Sequence, residues 1–442
     1  MTADAGSGPL IPFARPFVGT EEEEAVLRVL RSGWLTTGKE ALAFEEEFSR
    51  FLAVPPADAA GETAGPGLPC LAVNSATSGL HLALEACGVK RGDLVLLPSY
   101  TFTSTAEVVR YLDAQPVFVD VVPGGFHIDP AALETVLKRL SQGLPPYPPR
   151  PGSRDEGFGP RGRPAAVIPV HYGGLPCDMA AVMDIAGRYG LKVIEDAAHS
   201  FPSYYRPKAP GGGLKPVSLT PKGAYAGTIG DLGVFSFYAT KTISTGEGGM
   251  VACGNAELAG RVSLMRSHGI DRSIWNRYTD SKASWYYEVV EAGYKYNLPD
   301  LLAALGRVQL GRAWDLLRMR RELAGLYDSA FGADPHFTVP PRDPADARHL
   351  YPLRLNPETL RIGRDAFAAG LQEQGIGISV HFIPLHTMPY YRKAYDLQPE
   401  DFPHSLASFK REISLPLWPG MDRAMVHRVI DLVQSAAAYY TA

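Results

Sequence analysis

The sequence predicts an α/β fold, a mostly parallel sheet packed between helices, with a smaller α+β part toward the C-terminal end. Three observations carry this expectation. Short apolar runs alternate with helical segments through most of the chain. The runs are continuous, as in strands buried on both faces. After one long helical block, the remaining strands and helices mix in a different pattern.

In chain order, a loose arm precedes residues 21–32 (EEEEAVLRVLRS). These read as an amphipathic helix with acids in its first turn, where the helix dipole favours them. Gly33 ends it, Thr36 to Gly38 turn the chain, and residues 39–53 form a second helix. Residues 54–68, rich in Pro, Ala and Gly, are expected as a surface loop. Apolar strands then recur in CLAVNSA, LVLLPS, QPVFVDV, AAVIPVHY, LKVIED, DLGVFSFYA and GGMVACG. Helical segments such as TSGLHLALEACG, DPAALETVLKRL and DMAAVMDIAGRYG separate several of them. The Pro/Gly-rich stretches 141–163 and 206–224 have little to bury and are expected as surface excursions, not domain linkers. Leu301 to Phe331 reads as helix, and HLYPLRL and GISVHF as strands of the smaller part. The expected division is 1–312, an arm and a large domain, and 313–442, a small C-terminal domain.

Bulk properties exclude several classes. A net charge of −4 and a pI near 6.3 offer no surface for a polyanion, so nucleic acid is not an expected partner. The start, MTADAGSGPLIPFARPF, lacks the basic and apolar regions of a signal peptide. No apolar run approaches the roughly 20 residues that span a bilayer, so a cytoplasmic protein without a membrane partner is expected. Cys70, Cys87, Cys177 and Cys253 are scattered, without metal-ligand spacing. Reduced thiols and no metal site are the expectation.

In a sheet of this kind, ligands bind at the carboxyl ends of the strands. NSATSG, PSYTF, EDAAH and SFYATK lie at such ends and are polar or aromatic. NSATSG (74–79) opens a helix, whose unpaired N–H groups can hold a phosphate; an ordinary N-cap by Ser75 or Thr77 is the plainer reading. In EDAAH, Asp196 can hydrogen-bond a protonated ring nitrogen and keep that ring an electron sink. A helix N-cap is its alternative. His199 can donate to a phenolate oxygen of the same ring, or be structural. Lys241 follows an apolar and aromatic strand, where desolvation leaves a nucleophilic amine of the kind a Schiff base requires. Its alternative is a surface lysine in a loop.

Taken together and in this order, NSATSGL, PSYTF, EDAAHS, FSFYATKTISTGEGGM and GYKYNLPD resemble the DegT/DnrJ/EryC1/StrS sugar aminotransferases. These are fold-type I pyridoxal 5'-phosphate (PLP) enzymes with a seven-stranded sheet. The similarity runs from about Ile11 to the C-terminus, apart from the three Pro/Gly-rich insertions. Within the family, GWLTTG, IPVHYGG, GISVHF and LHTMPYYR are most similar to the UDP-4-amino-4-deoxy-L-arabinose aminotransferases.

The resemblance implies catalytic roles for Lys241, Asp196 and His199, with Lys241 holding the cofactor as a Schiff base and shuttling a proton. It implies that Phe102 stacks on the pyridine, that Ala76, Thr77 and Ser236 hold the phosphate, and that Asn297 reaches it from the neighbouring subunit of a homodimer. Trp34, Thr36 and His381 would contact substrate. The implied reaction takes an amino group from L-glutamate or glutamine, passes through pyridoxamine 5'-phosphate (PMP), and delivers it to a nucleotide-linked keto sugar by ping-pong kinetics.

The sequence departs from the pattern at His199, where many members carry Gln, and at Thr242, where Asn is common. The 206–224 insertion, between the Asp196 and Lys241 motifs, can reshape the substrate mouth. Three rivals follow: a cyclitol aminotransferase, a non-catalytic PLP-binding regulator, and a sugar 3-dehydratase. The dehydratases replace the lysine by histidine, so Lys241 argues against that last one.

Overall fold

In the computed structural model, the described residues are 9–55, 67–151, 156–205, 224–271 and 286–442. Helix α1 (Thr20–Ser32) carries Glu21, Glu22 and Glu23 in its first turn and ends on Gly33, whose φ of 75° is the left-handed cap that glycine adopts freely. Helix α2 (Lys39–Ala53) follows.

The main sheet contains β1 (Cys70–Val73), β2 (Leu94–Pro98), β3 (Gln115–Val119), β4 (Pro164–Val167), β5 (Lys192–Asp196), β8 (Leu232–Ser236) and β9 (Gly249–Cys253). Two short strands, β6 (Tyr204–Tyr205) and β7 (Ala224–Tyr225), pair outside it. The strand order is β1-β9-β8-β5-β4-β2-β3, and only β9 runs against its neighbours. Every residue of β1, β2, β8 and β9 is buried, as unbroken apolar runs require. Helices α3 (Ala76–Ala86), α4 (Ser104–Tyr111), α5 (Pro130–Ser141), α6 (Met179–Tyr189) and α7 (Ala256–Met265) complete the layers. The seven-stranded, mostly parallel α/β architecture is the one expected.

The C-terminal part holds a three-stranded antiparallel sheet of β10 (Phe337–Thr338), β11 (Tyr351–Leu355) and β12 (Glu412–Leu415). The helices Arg364–Glu373 and Arg423–Tyr439 pack on it through Phe367, Leu371, Val426, Val429 and Val433.

Three details differ from the sequence reading. The helical block 301–331 is two helices, Asp300–Gly311 and Ala313–Phe331, broken at Arg312. The second of these spans both cores: Ala313 and Leu316 pack with Phe44 and Phe237, whereas Tyr327 and Phe331 pack in the C-terminal core. We propose 312/313 as the division between the large and small domains.

The arm is not loose from Ile11 onward. Ile11 is buried, exchanges backbone hydrogen bonds with Gly375 and Gly377 (2.9 and 2.8 Å), and sits in the C-terminal core. The 141–163 excursion also buries more than its composition suggests. The Tyr147 hydroxyl accepts from the Phe118 N–H at 2.8 Å inside the core, and Arg150 pairs with Asp401 and Asp396. Most of the 54–68 loop (56–66) and all but Ala224 of the 206–224 insertion lie outside the described residues, so their expected courses are not described.

Candidate active site

Because β1, β2, β4, β5 and β8 point the same way, their carboxyl ends share one edge of the sheet, and β9 begins there. All four polar segments singled out in the sequence lie on this edge.

Asp196 ends β5 and is 5% exposed. Its carboxylate accepts from the Thr105 hydroxyl (2.9 Å) and the Ala198 N–H (3.2 Å). Thr105 in turn shares a hydrogen bond with Thr101 (2.8 Å). No helix follows Asp196, so the N-cap reading fails. Burial raises its pKa, opposed by the Thr105 and Ala198 hydrogen bonds and by the charge of Lys241.

Lys241 is half-buried in the turns after β8. Burial strips hydration from its ammonium and lowers its pKa to about 8; Asp196 opposes this and Arg320 adds to it. Among the described residues its ammonium has no ion-pair partner.

His199 is buried, and burial first, then the Lys241 charge, pushes its pKa well down, so the ring is neutral. Its Nδ1 accepts from the Gly173 N–H (3.3 Å), which leaves the hydrogen on Nε2. The ring stacks on Phe382 (centroids 5.6 Å apart) and lies 4.4 Å from the ring of His349.

A phosphate cradle adjoins this cluster. Ser75 caps α3 by accepting from the Ser78 N–H (3.1 Å). Among the described residues, the Ala76 and Thr77 N–H groups meet no acceptor. Gly249 pairs with Ser236 across β8 and β9, and a Cβ on Gly249 would sit 2.8 Å from the Ala76 nitrogen. Ser236 is thereby held beside a helix N-terminus whose first N–H donors can hold an anion. A phosphorylated aldehyde that needs an amine, a carboxylate and an anion seat fits these residues.

The other predicted residues divide. Phe102 is 55% exposed, with its ring 5.8 Å from that of Phe382, so it belongs to the cluster. His381 also faces it, with its ring 6.5 Å from that of His199. Asn297 is engaged elsewhere in the single chain, its amide donating to Thr37 (2.5 Å) and accepting from Lys295 (2.6 Å). Trp34 and Thr36 sit at the turn before α2. There the Trp34 indole donates to the Thr37 carbonyl (3.3 Å) and the Thr36 carbonyl accepts from the Asp300 N–H. Among the described residues, neither Asn297 nor Thr36 hydrogen-bonds to Lys241 within one chain.

Sequence reasoning missed Thr105, His349, Phe382 and Arg320. Arg320 is 2% exposed, and its guanidinium donates to the carbonyls of Leu417 (2.8 Å), His349 (3.2 Å) and Thr240 (3.3 Å). It ties the residue preceding Lys241 to the C-terminal part. An arginine in the middle of a helical pattern carries no such signal.

An uncharged-prone amine facing a buried carboxylate, next to an anion seat on this sheet edge, is the equipment of imine chemistry on a phosphorylated cofactor. The fold and site define a PLP-dependent aminotransferase of fold type I. The chain belongs to the DegT/DnrJ/EryC1/StrS aminotransferase family, whose model matches residues 16–434. It is 38% identical over 427 residues to SpsC, a spore coat polysaccharide biosynthesis protein of Bacillus subtilis, covering 96% of each chain. Among solved structures it is similar to Spr1654 from Streptococcus pneumoniae in its PLP form, at 26% identity and a TM-score of 0.78. That match covers 97% of this chain and 99% of Spr1654. It is also similar to Helicobacter pylori PseC, an aminotransferase involved in the biosynthesis of pseudoaminic acid, at 26% identity and a TM-score of 0.77. There the match covers 98% and 100% of the two chains.

Proposed function

We propose that this enzyme takes an amino group from L-glutamate or glutamine and delivers it to a nucleotide-linked keto sugar in two half-reactions, with PLP and PMP alternating at one site. The observation that carries the reading is the placement of Lys241, its ammonium destabilised, beside Asp196 and His199 on the sheet edge. The sugar assignment is supported by the family and by the roles named for SpsC and PseC.

When bound, PLP supplies an aldehyde that captures amines and a ring that takes up the electron pair left by a departing proton. Lys241 would hold the cofactor through that aldehyde, and its freed amine would be placed to carry the proton, where proximity is most of its advantage. Asp196, oriented by Thr105, holds a proton on the ring nitrogen. His199, its tautomer fixed by Gly173, donates from Nε2 to the ring oxygen. Phe102 covers the ring face, and Ala76, Thr77 and Ser236 hold the phosphate. In a cytoplasmic homodimer, Asn297 reaches the phosphate of the neighbouring subunit, and Trp34, Thr36 and His381 line the sugar site.

The test has two arms. Borohydride reduction of the PLP-loaded protein, followed by peptide mass analysis, is expected to tag Lys241 alone; a tag elsewhere overturns the assignment. Initial rates with L-glutamate and a nucleotide-linked keto sugar are expected to give parallel double-reciprocal lines. Intersecting lines defeat the two-step scheme, amination of cyclitols alone moves the substrate class, and an unchanged visible spectrum with L-glutamate marks a non-catalytic binder.

A further inference from the structure

Strand β12 alternates strictly. Ile413 and Leu415 face the C-terminal core, so Glu412 and Ser414 must face the other way, toward the site. Both are fully buried. A carboxyl and a hydroxyl placed there without a partner would be costly, and both are spent on one residue, His381. The Glu412 carboxyl accepts from the His381 backbone N–H through Oε2 (3.0 Å), and its Oε1 is hydrogen-bonded to the Ser414 hydroxyl. Ser414 Oγ lies 2.9 Å from His381 Nδ1. The His381 ring also stacks on Phe13 (5.2 Å), and no partner among the described residues engages its Nε2. The chain of contacts therefore runs from a buried carboxyl, through one hydroxyl, to a ring whose far nitrogen is open.

One hydroxyl proton serves two hydrogen bonds, so with a neutral His381 ring the three groups have only two self-consistent arrangements. With Glu412 ionised, Ser414 donates to the carboxylate and accepts from Nδ1–H, and Nε2 is an acceptor. With Glu412 protonated, its O–H donates to Ser414, Ser414 donates to Nδ1, and Nε2 carries the hydrogen.

We propose that Glu412 and Ser414 are positioning residues that choose which nitrogen of His381 carries the hydrogen, and so whether this ring donates to the sugar acceptor or accepts from it. The proposal rests on the reading of His381 as a substrate contact.

The surroundings favour both states being reached. Burial raises the Glu412 pKa to about 8, with Ser414, the His381 N–H and Arg364 opposing. Arg354 faces Glu412 across the β11–β12 ladder, and Tyr100 and Tyr172 face it from the large domain. His381 is faced by Lys241, His199 and His349. Burial and the Lys241 charge hold the His381 pKa down to about 3, so the ring stays neutral and only its tautomer changes. Of these neighbours, Lys241 also has a pKa of about 8, in its case lowered by burial. A substitution at Glu412 separates the two.

The experiment follows the ring ¹⁵N signals of His381 in PLP-loaded, ¹⁵N-histidine-labelled enzyme from pH 6 to 9.5, assigned by their loss in His381→Gln. The expected wild-type result is Nε2–H at the low end and Nδ1–H at the high end, with a midpoint near 8. Glu412→Gln keeps the shape and presents an amide N–H to Ser414, so Nε2–H is expected throughout. Ser414→Ala cuts the relay, and the pH step is expected to vanish. The KM for the sugar acceptor is expected to follow the same midpoint in wild type and to be flat in Glu412→Gln. A single wild-type tautomer over the range, or an unchanged step in Glu412→Gln, overturns the proposal. If the enzyme aminates no sugar, the functional reading fails while the ¹⁵N result still decides the relay. Circular dichroism of each variant identifies any that fails to fold, and either of the two substitutions suffices alone.

Discussion

The amine of Lys241 is expected to be free at a pH where ordinary lysines are not, and the size of the effect follows from its surroundings. Its pKa is lowered from 10.5 to about 8, burial being the main cause. At pH 7, roughly one Lys241 in ten is then uncharged, against roughly one in three thousand for an unperturbed lysine, an advantage of about 300-fold. Cofactor-free protein is labelled with fluorodinitrobenzene, a probe without its own ionisation in this range, and the modified peptides are quantified by mass. The Lys241 labelling rate is expected to rise with pH to a midpoint of about 8. Asp196→Asn removes the charge that stabilises the ammonium, so its midpoint falls below the wild-type value. Arg320→Met removes a repelling charge, so its midpoint rises. A wild-type midpoint of 10 or more, or Asp196→Asn moving it upward, refutes the account of Lys241 as desolvated and faced by a carboxylate.

Three further outcomes follow from packing. Gly249→Ala drives a Cβ to 2.8 Å from both the Ala76 nitrogen and the Phe235 carbonyl oxygen. It is expected to weaken PLP binding at least roughly tenfold, about 1.4 kcal/mol, in a fluorescence titration. Arg320→Met leaves three carbonyls without their donor and is expected to destabilise the fold by about 3 kcal/mol or more, read by denaturant unfolding. Glu195, fully buried beside Asp196, accepts from the N–H groups of Gly227 (2.8 Å), Ile229 (2.6 Å) and Gly230 (2.7 Å) and contacts His171 Nε2 (2.9 Å). Glu195→Gln turns one acceptor into a donor against this set, and a loss of about 1–3 kcal/mol is expected in the same assay.

What the sequence discloses here depends on how local the cause is. Unbroken apolar runs are a local consequence of burial on two faces, so all seven strands of the main sheet could be read off in order. Lys241 and Asp196, proposed above to act on the cofactor, could be singled out for a related reason: each closes or follows such a run, and the carboxyl end of a parallel strand is where ligands bind. The second tier of the site obeys no local rule. Thr105 is 91 residues from the carboxylate it orients, and Arg320 is 80 from the carbonyl it holds beside Lys241. Each becomes visible only when the sheet order brings β2 near β5, or when the helix Ala313–Phe331 crosses from one core to the other. Glu412 and Ser414 fall between these cases. Their alternation with Ile413 and Leu415 was present in the sequence as EISL and ordinarily marks a solvated face. It marks a buried one here because that face of β12 packs against His381, which takes up both polar side chains.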